Sequence, residues 1–489
     1  MKVSIITEGF ENTGHGHITR CLSLYQAFAG RNIFPTIYVN GDKNAQSLLI
    51  NCRYEILDWL THPAKLIKYI NNSDIIIVDS YLAGKEYYNN FVKLSRLSLF
   101  IDDNMRIEYP EGIILNGTIN SENFPYKKTN NEFLLGSKYI PVRKEFWNVP
   151  SRKINKDVSS ILITFGGQDI RNLTPGILKS MNDNYPDVIK NVVVGSGFKC
   201  IDRIENLKND NLFLHFSPDA DKMKELMISS DIAITAAGQT LYELAVTGTP
   251  TIAIAVAENQ SNNIREWKKK GFLLDVIQHN DRFYLRKINE QFKKLESVSV
   301  RKKLSKIGRD NIDGQGPVRV INYLIEKSCE KNGFYLRKAV ESDSEKVYNL
   351  SNDPSVRQNS INTCPIEWES HQTWFADKIE RDNYAFFLAF DNKDNFIGQI
   401  RFDLNDDSAV TSISISGDFR GKGLSKKIIQ MGCSKIFSEH HHLKNIIAYI
   451  RPENNVSINS FTSSGFSLDS DELINGHIFM KYILNHPDK

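Results

Sequence analysis

Asp231–Pro250 reads DIAITAAGQTLYELAVTGTP, and the order of residue types in it decides the fold class. A short apolar run, Asp231–Thr235, has the length and composition of a buried strand. Small residues follow at Ala236-Ala237-Gly238. Gln239 and Thr240 then open a helical segment, with Glu243 one turn in. Gly248-Thr249-Pro250 turns the chain into a second apolar run, Thr251–Ala255. Strand, tight small-residue turn, helix, strand is the repeating unit of a parallel sheet covered on both faces.

The same rhythm extends outward in both directions. Ser160–Phe165 and Val192–Val194 are further buried-strand candidates on the N-terminal side. Beyond the polar, basic stretch Ser151–Asp157 lie Val3–Thr7, Phe34–Val39, Asp74–Asp79 and Leu97–Ile101, with a helix over Ile18–Ala29. Two consecutive Rossmann-like halves, 1–150 and 151–326, imply a cleft in which a nucleotide meets the carboxyl ends of strands. Glu326–Gly333 (EKSCEKNG) reads as a linker. After it the character changes: Phe334–Lys338, Phe386–Phe390, Phe396–Asp403 and Ala409–Ser416 have the look of hairpin-connected strands. Helices are expected over Gly423–Glu439 and Val456–Ser463. The expectation is an α/β pair followed by an α+β domain over 334–489.

Composition narrows the function class. A chain of 489 residues has room for two to four domains at about 100–200 residues each. Hydrophobic content of 41% and charged content of 24% are those of a globular protein, which argues against disorder. A net charge of +3 lacks the strong, clustered basic signature of nucleic-acid binding. The cysteines form no C-x-x-C pair, so reduced thiols and a cytoplasmic setting are expected. The apolar start of the chain is interrupted by Glu8, and no apolar run approaches the roughly 20 residues that span a bilayer, so neither a signal peptide nor a membrane partner is expected.

Two turns carry candidate chemistry. The first is Gly14-His15-Gly16-His17, between the first strand and the first helix. Small residues let backbone approach a ligand, and a helix start offers free N–H groups to an anion. A histidine there can act as a general base near neutral pH. A tight turn with capping histidines is the alternative, and the residues alone leave both open. In the second half, Gly166-Gly167 and the turn Gly238-Gln239-Thr240 can offer donors to a diphosphate, and Glu243 can accept from ribose hydroxyls. Asp102-Asp103 is no metal motif, because adjacent strand-end residues point to opposite faces. No metal is expected.

Several segments together carry a resemblance. They are Thr13–His17 with Arg20-Cys21, Val78-Asp79-Ser80-Tyr81, Ile101-Asp102-Asp103, Leu135–Tyr139, Gly166–Asp169 with Asn172-Leu173-Thr174, Ala237–Thr240 with Glu243, and Glu258-Asn259-Gln260. In this order they resemble the UDP-sugar hydrolases of pseudaminic acid biosynthesis, relatives of the GT-B glycosyltransferases. The resemblance implies that His17 assists a water that displaces UDP from the anomeric carbon with inversion. It places Tyr81 and Asn259 near the sugar, and implies substrate contacts for Gly14, Gly16, Arg20, Gly166, Gly167, Gly238, Gln239, Thr240, Glu243 and Gln260. His15 and Ala237-Gly238-Gln239 depart from the usual pattern.

The second turn is Arg420-Gly421-Lys422-Gly423-Leu424-Ser425, which follows a strand and opens a helix, a pyrophosphate-binding arrangement. It resembles the acetyl-CoA loop of GNAT acetyltransferases, with Asn454, Ser457 and Gly465-Phe466 fitting a later element of that family. Asn352-Asp353-Pro354, Val356-Arg357, His371 and Trp374-Phe375 resemble the branch that acetylates UDP-4-amino sugars. Without that resemblance, Trp374-Phe375 would read as core aromatics. The family commonly has a tyrosine, credited with protonating the CoA thiolate, where this chain has Phe461.

The combined expectation is a bifunctional enzyme with acetyl-CoA as cosubstrate. It would acetylate the 4-amino group of a UDP-4-amino-4,6-dideoxy sugar, then hydrolyse the UDP-2,4-diacetamido-2,4,6-trideoxy sugar to free sugar and UDP. The rival readings are a GT-B glycosyltransferase with an appended acetyltransferase, and a non-catalytic regulator that binds nucleotide sugar and CoA.

Overall fold

A computed structural model describes residues 1–10, 16–127, 130–199, 201–258, 260–330 and 332–487, with the side chains of residues 43, 44 and 47 left aside. Two compact units result, Val3–Ile321 and Asn322–Lys489, the latter joined by Met1–Lys2.

The first unit holds two parallel sheets. One is built from β1 (Val3–Gly9), β2 (Thr36–Gly41), β3 (Arg53–Ile56), β4 (Ser73–Asp79), β5 (Ser95–Ile101), β6 (Ile113–Asn116) and β7 (Glu132–Leu135), in the spatial order 3-2-1-4-5-6-7. The other comprises β8 (Ser160–Thr164), β9 (Ile189–Val194), β10 (Leu212–Phe216), β11 (Ile232–Ala236), β12 (Thr251–Ala255) and β13 (Ile277–Gln278), in the order 10-9-8-11-12-13. Every pairing in both is parallel. The chain direction across each sheet reverses between β1 and β4, and between β8 and β11. Ligands of doubly wound sheets collect at such switch points, outside the carboxyl ends of the strands. The central strands are apolar on both faces: Ile5, Ile6, Ile75, Ile76 and Ile77 are all fully buried, as helix-covered strands must be.

The second unit has one mixed sheet of β14 (Tyr335–Lys338), β15 (Tyr384–Phe390), β16 (Phe396–Leu404), β17 (Ser408–Ile415), β18 (Asn445–Ile450), β19 (Ser467–Ile474) and β20 (His477–Asn485), in the order 14-15-16-17-18-20-19. Its pairings are antiparallel except β17 with β18. The helix Leu424–Glu439 packs on one face, with Ile428, Ile429, Cys433 and Ile436 buried in one cluster with Ile400 and Phe402.

One sequence expectation is revised, and some elements went unread. Glu326–Cys329 is not linker but the last turn of the helix Gly316–Cys329, because no glycine or proline stands between Pro317 and Gly333. Short strands such as β3, β6, β7 and β13 carry too few residues to show a period. The hairpin of β19 and β20 was legible but unread: Asn475 and Gly476 both have positive φ, 52° and 79°, which is the Asn-Gly turn chemistry of two-residue hairpins.

Candidate active sites

The first site assembles at the β1/β4 switch point. His17 and Arg20 stand one turn apart on the helix Gly16–Ala29, which follows β1. Asp79 closes β4, and Asp103 lies just beyond β5. The His17 Nδ1 lies 2.6 Å from Asp79 Oδ1. Arg20 donates from Nε and Nη2 to Asp79, at 3.0 and 2.8 Å, and from Nη1 to both oxygens of Asp103 at 2.6 Å. The Arg20 Nη2 is also 3.0 Å from His17 Nδ1, but one ring nitrogen cannot accept from arginine while donating to a carboxylate. We assign the Nδ1 proton to the shorter contact with buried Asp79, which leaves the Nε2 lone pair to accept a proton. The His17 side chain is 12% exposed and that of Asp79 1%, so the imidazole is reachable and the carboxylate that orients it is not.

Tyr81 completes the cluster. Its ring meets His17 edge-on, with centroids 4.5 Å apart at 82°, and its hydroxyl donates to Asp103 at 2.6 Å. Burial and then the Asp103 charge hold the phenol above its ordinary pKa, so it stays a donor. Burial of Asp103 is outweighed by the Arg20 guanidinium, whose charge and hydrogen bonds hold this carboxyl below its ordinary range. Glu8, at the end of β1, accepts from the Tyr81 amide at 2.7 Å and from the Ser80 hydroxyl. It thereby fixes the loop that carries Tyr81. Asp102 points the other way, accepting from Tyr126 Oη at 2.5 Å and the Met105 amide at 2.9 Å, as expected for adjacent strand-end residues.

Arg20 was expected to touch ligand. It is 8% exposed, and its guanidinium is committed to two carboxylates, so here it positions His17 and Tyr81 instead. Sequence reasoning missed Glu8 and Asp103 as supports, although a carboxylate ending an otherwise apolar strand was the available signal. Gly14, His15 and Asn259 lie outside the described residues. Gly16 is exposed at the helix start.

In the second half, the expected loops sit at the β8/β11 switch point. Gly166 has φ +77°, and a Cβ on Gly166 or Gly167 would meet nothing within 4 Å. The Gly197 amide donates to the Gly167 carbonyl at 3.0 Å, and a side chain on Gly195 would strike that oxygen at 2.3 Å. These two turns border a pocket of about 310 Å³ lined in part by Gln168, Asp169, Asn172 and Lys199. Asp169 accepts from the amides of Leu173 and Thr174 at 2.9 and 2.7 Å, fixing the start of the following helix. Gly238, Gln239 and Thr240 are half-buried where the helix Thr240–Thr247 begins. Gln239 donates to the Pro141 carbonyl, and Gln260 accepts from the Val256 amide at 3.0 Å.

Glu243 departs from expectation. It is 3% exposed, and Arg143 holds both its oxygens, Nε to Oε1 at 2.7 Å and Nη2 to Oε2 at 2.8 Å. The burial of this pair leaves the carboxylate turned to Arg143, not offered to a ribose. With the Tyr242 hydroxyl, which accepts from the Ile119 amide at 3.2 Å and donates to Asn263 Oδ1 at 2.6 Å, it ties the two halves together.

In the second unit, Gly421 and Gly423 have φ +74° and +70°, with open space where side chains would lie. They aim the backbone of Arg420–Gly423 ahead of the helix starting at Leu424. Arg420 is an exposed strut: it donates from Nε to the Ile415 carbonyl at 2.9 Å and pairs from Nη2 with Asp353 at 3.1 Å. Lys422 lies over Phe419, 4.7 Å from its centroid. The Ser425 hydroxyl accepts from that of Ser460 at 3.2 Å. Asn454 caps the helix Asn455–Ser463 by accepting from the Ser457 amide at 3.1 Å. β17 and β18 pair only through Ser408–Val410 and Asn445–Ile447, then diverge. Phe461 is a core residue, 3% exposed and packed edge-on against Phe466. His371 is 1% exposed, with its Nε2 2.9 Å from the Ser344 carbonyl, and burial holds its pKa below the ordinary value. It is a core histidine, and Phe375 is core likewise.

Among the described residues, no group of three or more His, Cys, Asp or Glu side chains is arranged to hold a metal ion, and no helix is long and apolar enough to cross a membrane.

Comparison with known proteins assigns both regions. Residues 161–306 match the glycosyltransferase family 28 C-terminal domain, and residues 334–467 match the acetyltransferase (GNAT) domain. An uncharacterized protein of Methanocaldococcus jannaschii is 26% identical over 95% of this chain and 96% of its own length. A pseudaminic acid cytidylyltransferase and UDP-2,4-diacetamido-2,4,6-trideoxy-beta-L-altropyranose hydrolase of Helicobacter pylori is 27% identical over 55% of this chain and 47% of its own. The spore coat polysaccharide biosynthesis protein SpsG of Bacillus subtilis is 25% identical over 65% of this chain and 96% of its own. A spermidine N-acetyltransferase structure from Vibrio cholerae, in complex with CoA and spermine, is 20% identical over 31% of this chain and 95% of its own, with a TM-score of 0.29. The chain therefore joins a GT-B-like region, related to the UDP-sugar hydrolase and SpsG proteins, to a GNAT acetyltransferase domain in one polypeptide.

Proposed function

We propose that the chain acetylates the 4-amino group of a UDP-4-amino-4,6-dideoxy sugar with acetyl-CoA and then hydrolyses the product to UDP and free diacetamido sugar. The observation that carries the hydrolytic half is the His17–Asp79 pair at the switch point. Asp79 accepts the hydrogen bond from Nδ1–H, so Nε2 removes a proton from water as the water attacks the anomeric carbon. The bond to the diphosphate breaks as the water bond forms, and UDP leaves as an anion. Tyr81, kept protonated, faces the same space. The turns at Gly166-Gly167 and Gly238–Thr240 supply N–H groups and a helix start for the leaving diphosphate.

For the acetyl half, the proposed cosubstrate lies with its pyrophosphate on the Arg420–Ser425 turn and its acyl arm between the diverging ends of β17 and β18. The acceptor amine attacks the thioester carbonyl and gives up one proton to solvent, the C–N bond replaces the C–S bond, and the thiolate takes a proton from solvent, since Phe461 has none to give. The acetyltransferase domain and the UDP-sugar hydrolase among the relatives support the two steps separately. Joining consecutive steps raises the concentration of the intermediate near its next site. Cytoplasmic action on a soluble nucleotide sugar fits both.

A second reading is kept because the matched family is one of glycosyltransferases: the sugar passes to an acceptor instead of water. One experiment separates them. The full chain is incubated with UDP-4-amino-4,6-dideoxy-N-acetyl-β-L-altrosamine, with and without acetyl-CoA, and products are followed by mass spectrometry and NMR. Acetyl-CoA-dependent release of UDP and free diacetamido sugar is the expected result. An acetylated sugar that keeps its UDP overturns the hydrolase in favour of a transferase.

A further inference from the structure

The turn 237–240, proposed to receive the leaving diphosphate, is held from behind by a chain of hydrogen bonds that begins in the other half of the first unit. The Ile119 amide, in the loop after β6, donates to the Tyr242 hydroxyl at 3.2 Å. That hydroxyl donates to Asn263 Oδ1 at 2.6 Å, and Asn263 Nδ2 donates to the Ala237 carbonyl at 3.0 Å. Ile119, Tyr242 and Ala237 are all buried, so water does not compete for these groups. The order of donors and acceptors has one solution. An amide N–H can only donate and a carbonyl can only accept. A reversed Asn263 amide would set its oxygen against that of Ala237, with no proton between them. Burial also holds the Tyr242 phenol above its ordinary pKa, which keeps its proton in place.

What the chain fixes is a peptide plane. In a trans peptide the C=O and the following N–H point in opposite directions, and the described residues include no cis peptide. Asn263 holds the Ala237 carbonyl on its own side and so turns the Gly238 N–H to the other. Among the described residues, the N–H groups of Gly238, Gln239 and Thr240 have no partner; they are the free donors of a helix start. A Cβ on Gly238 would meet only Gln260 Nε2 within 4 Å, at 3.6 Å, so a ligand can approach this backbone closely. A second contact joins the same loop to the helix that carries Asn263. Asn120, with φ 61°, donates to Glu266 Oε2 at 2.6 Å, and Glu266 stands one turn beyond Asn263 on the helix Gln260–Lys270. In its own half the loop is braced by Ser121, whose hydroxyl donates to the Asn116 carbonyl at 2.5 Å and accepts from the Gly136 amide at 2.7 Å.

We propose that Tyr242 and Asn263 are positioning residues for the leaving group, which aim the Gly238 N–H at the diphosphate while the Ile119 loop is docked. This rests on the reading that the turn 237–240 takes the diphosphate of a nucleotide sugar. It adds a coupling between the halves. The loop that starts the chain belongs to the half that carries His17, so one docking event brings the base and the leaving-group donor into register together. Negative charge builds on the diphosphate as its bond to the anomeric carbon breaks. The aimed N–H therefore contributes more to the transition state and to bound UDP than to the intact nucleotide sugar.

The test uses the full chain and its Asn263→Ala, Tyr242→Phe and double variants. UDP affinity is measured by calorimetry, and UDP release is followed with the diacetamido nucleotide sugar. Asn263→Ala is expected to raise Kd for UDP and to lower kcat for UDP release, each by about ten- to hundred-fold, the size of one hydrogen bond to a charged group. KM for the nucleotide sugar should move less than about threefold. Tyr242→Phe should act in the same direction and less, because Asn263 keeps its bond to Ala237. The double variant should lose little more than Asn263→Ala alone, since both residues act through one carbonyl. A raised KM with kcat unchanged, or losses that multiply in the double variant, would overturn the proposal. Unchanged UDP affinity in Asn263→Ala would overturn it too and leave the reading of the turn standing, whereas a wild type that binds no UDP would sink that reading and the proposal with it. A second measurement needs no variant to fold. Coupling is reciprocal, so saturating UDP should slow hydrogen exchange at the Ile119 amide of the wild type by about tenfold or more; exchange that UDP leaves unchanged refutes the coupling.

Discussion

Asp79→Asn is the sharpest probe of the first site. Asp79 is fully buried and receives three contacts, from His17 Nδ1 and from two nitrogens of Arg20. Asparagine keeps the shape and removes the charge that an imidazolium needs. Whichever way its amide faces, an N–H is set against an N–H of Arg20, because arginine donates to both oxygens of the native carboxylate. One of the two orientations also turns His17 to the tautomer whose Nε2 is protonated and useless as a base. General-base catalysis contributes about 10²–10⁴-fold, so the turnover for UDP release should fall by that range, about 3–5 kcal/mol on the barrier. KM should hardly move, since Asp79 touches no substrate. Stability should fall by less than the ~3–5 kcal/mol of an orphaned buried charge, since Asp103 still holds Arg20. UDP release is measured under saturating sugar, with acetyl transfer by the same chain as an internal control of folding. If Asp79→Asn keeps UDP release within about threefold of the wild type while His17→Ala abolishes it, the orienting role is refuted. Equal losses in both activities would refute it too, because they would report a misfolded chain.

Other expectations follow from single residues. Phe461→Tyr places a hydroxyl in a packed core next to Phe466, so the thermal midpoint should drop with no gain in acetylation. A rise of about tenfold or more in acetyl transfer would show that the ring reaches the thiolate. Arg143→Ala strands buried Glu243 and should cost about 3–5 kcal/mol in denaturant unfolding, whereas Arg143→Met with Glu243→Leu should recover much of it; equal losses in the two would show that the pair is not what matters. Asp103 has its folded-state pKa held below the ordinary value of 3.8. Its contribution is therefore present above that value and lost as pH falls through the depressed one. The stability gap between wild type and Asp103→Asn should narrow below about pH 4, and a gap that is flat with pH would contradict the ion pair.

The apolar strands were the most legible feature, because a strand covered on both faces leaves no polar alternation to misread. Thr251–Ala255 has its expected bounds, and Ser160–Phe165 shifts by one residue. The glycine turn at Gly421–Gly423 was legible for a related reason, since backbone with positive φ restricts residue choice. What surrounds them was not. Glu8, Asp103 and Arg143 act through partners 73, 83 and 100 residues away, and no local pattern encodes such distances. Burial cannot be read from a charged letter either, which is why Arg20 and Glu243 were expected at the ligand and are found committed to other side chains. Trp374 and Phe375 show the limit on one helix: Phe375 is core, and Trp374, its neighbour, supports an arginine.

The parting of β17 from β18 after three rungs has a consequence for how the cosubstrate is held. Beyond Val410 and Ile447, each strand faces its departed neighbour with backbone amides and carbonyls that have no ladder to join. A pantetheine arm carries amide groups of its own, spaced along an extended chain. On the proposed binding mode the arm serves as a missing half-strand, and the sheet is finished by a molecule that is consumed at each turnover. Edge amides on this side should therefore exchange hydrogen quickly in the empty protein and slowly with CoA bound, so that the domain is most rigid while it holds its acyl donor and loosest after each product leaves.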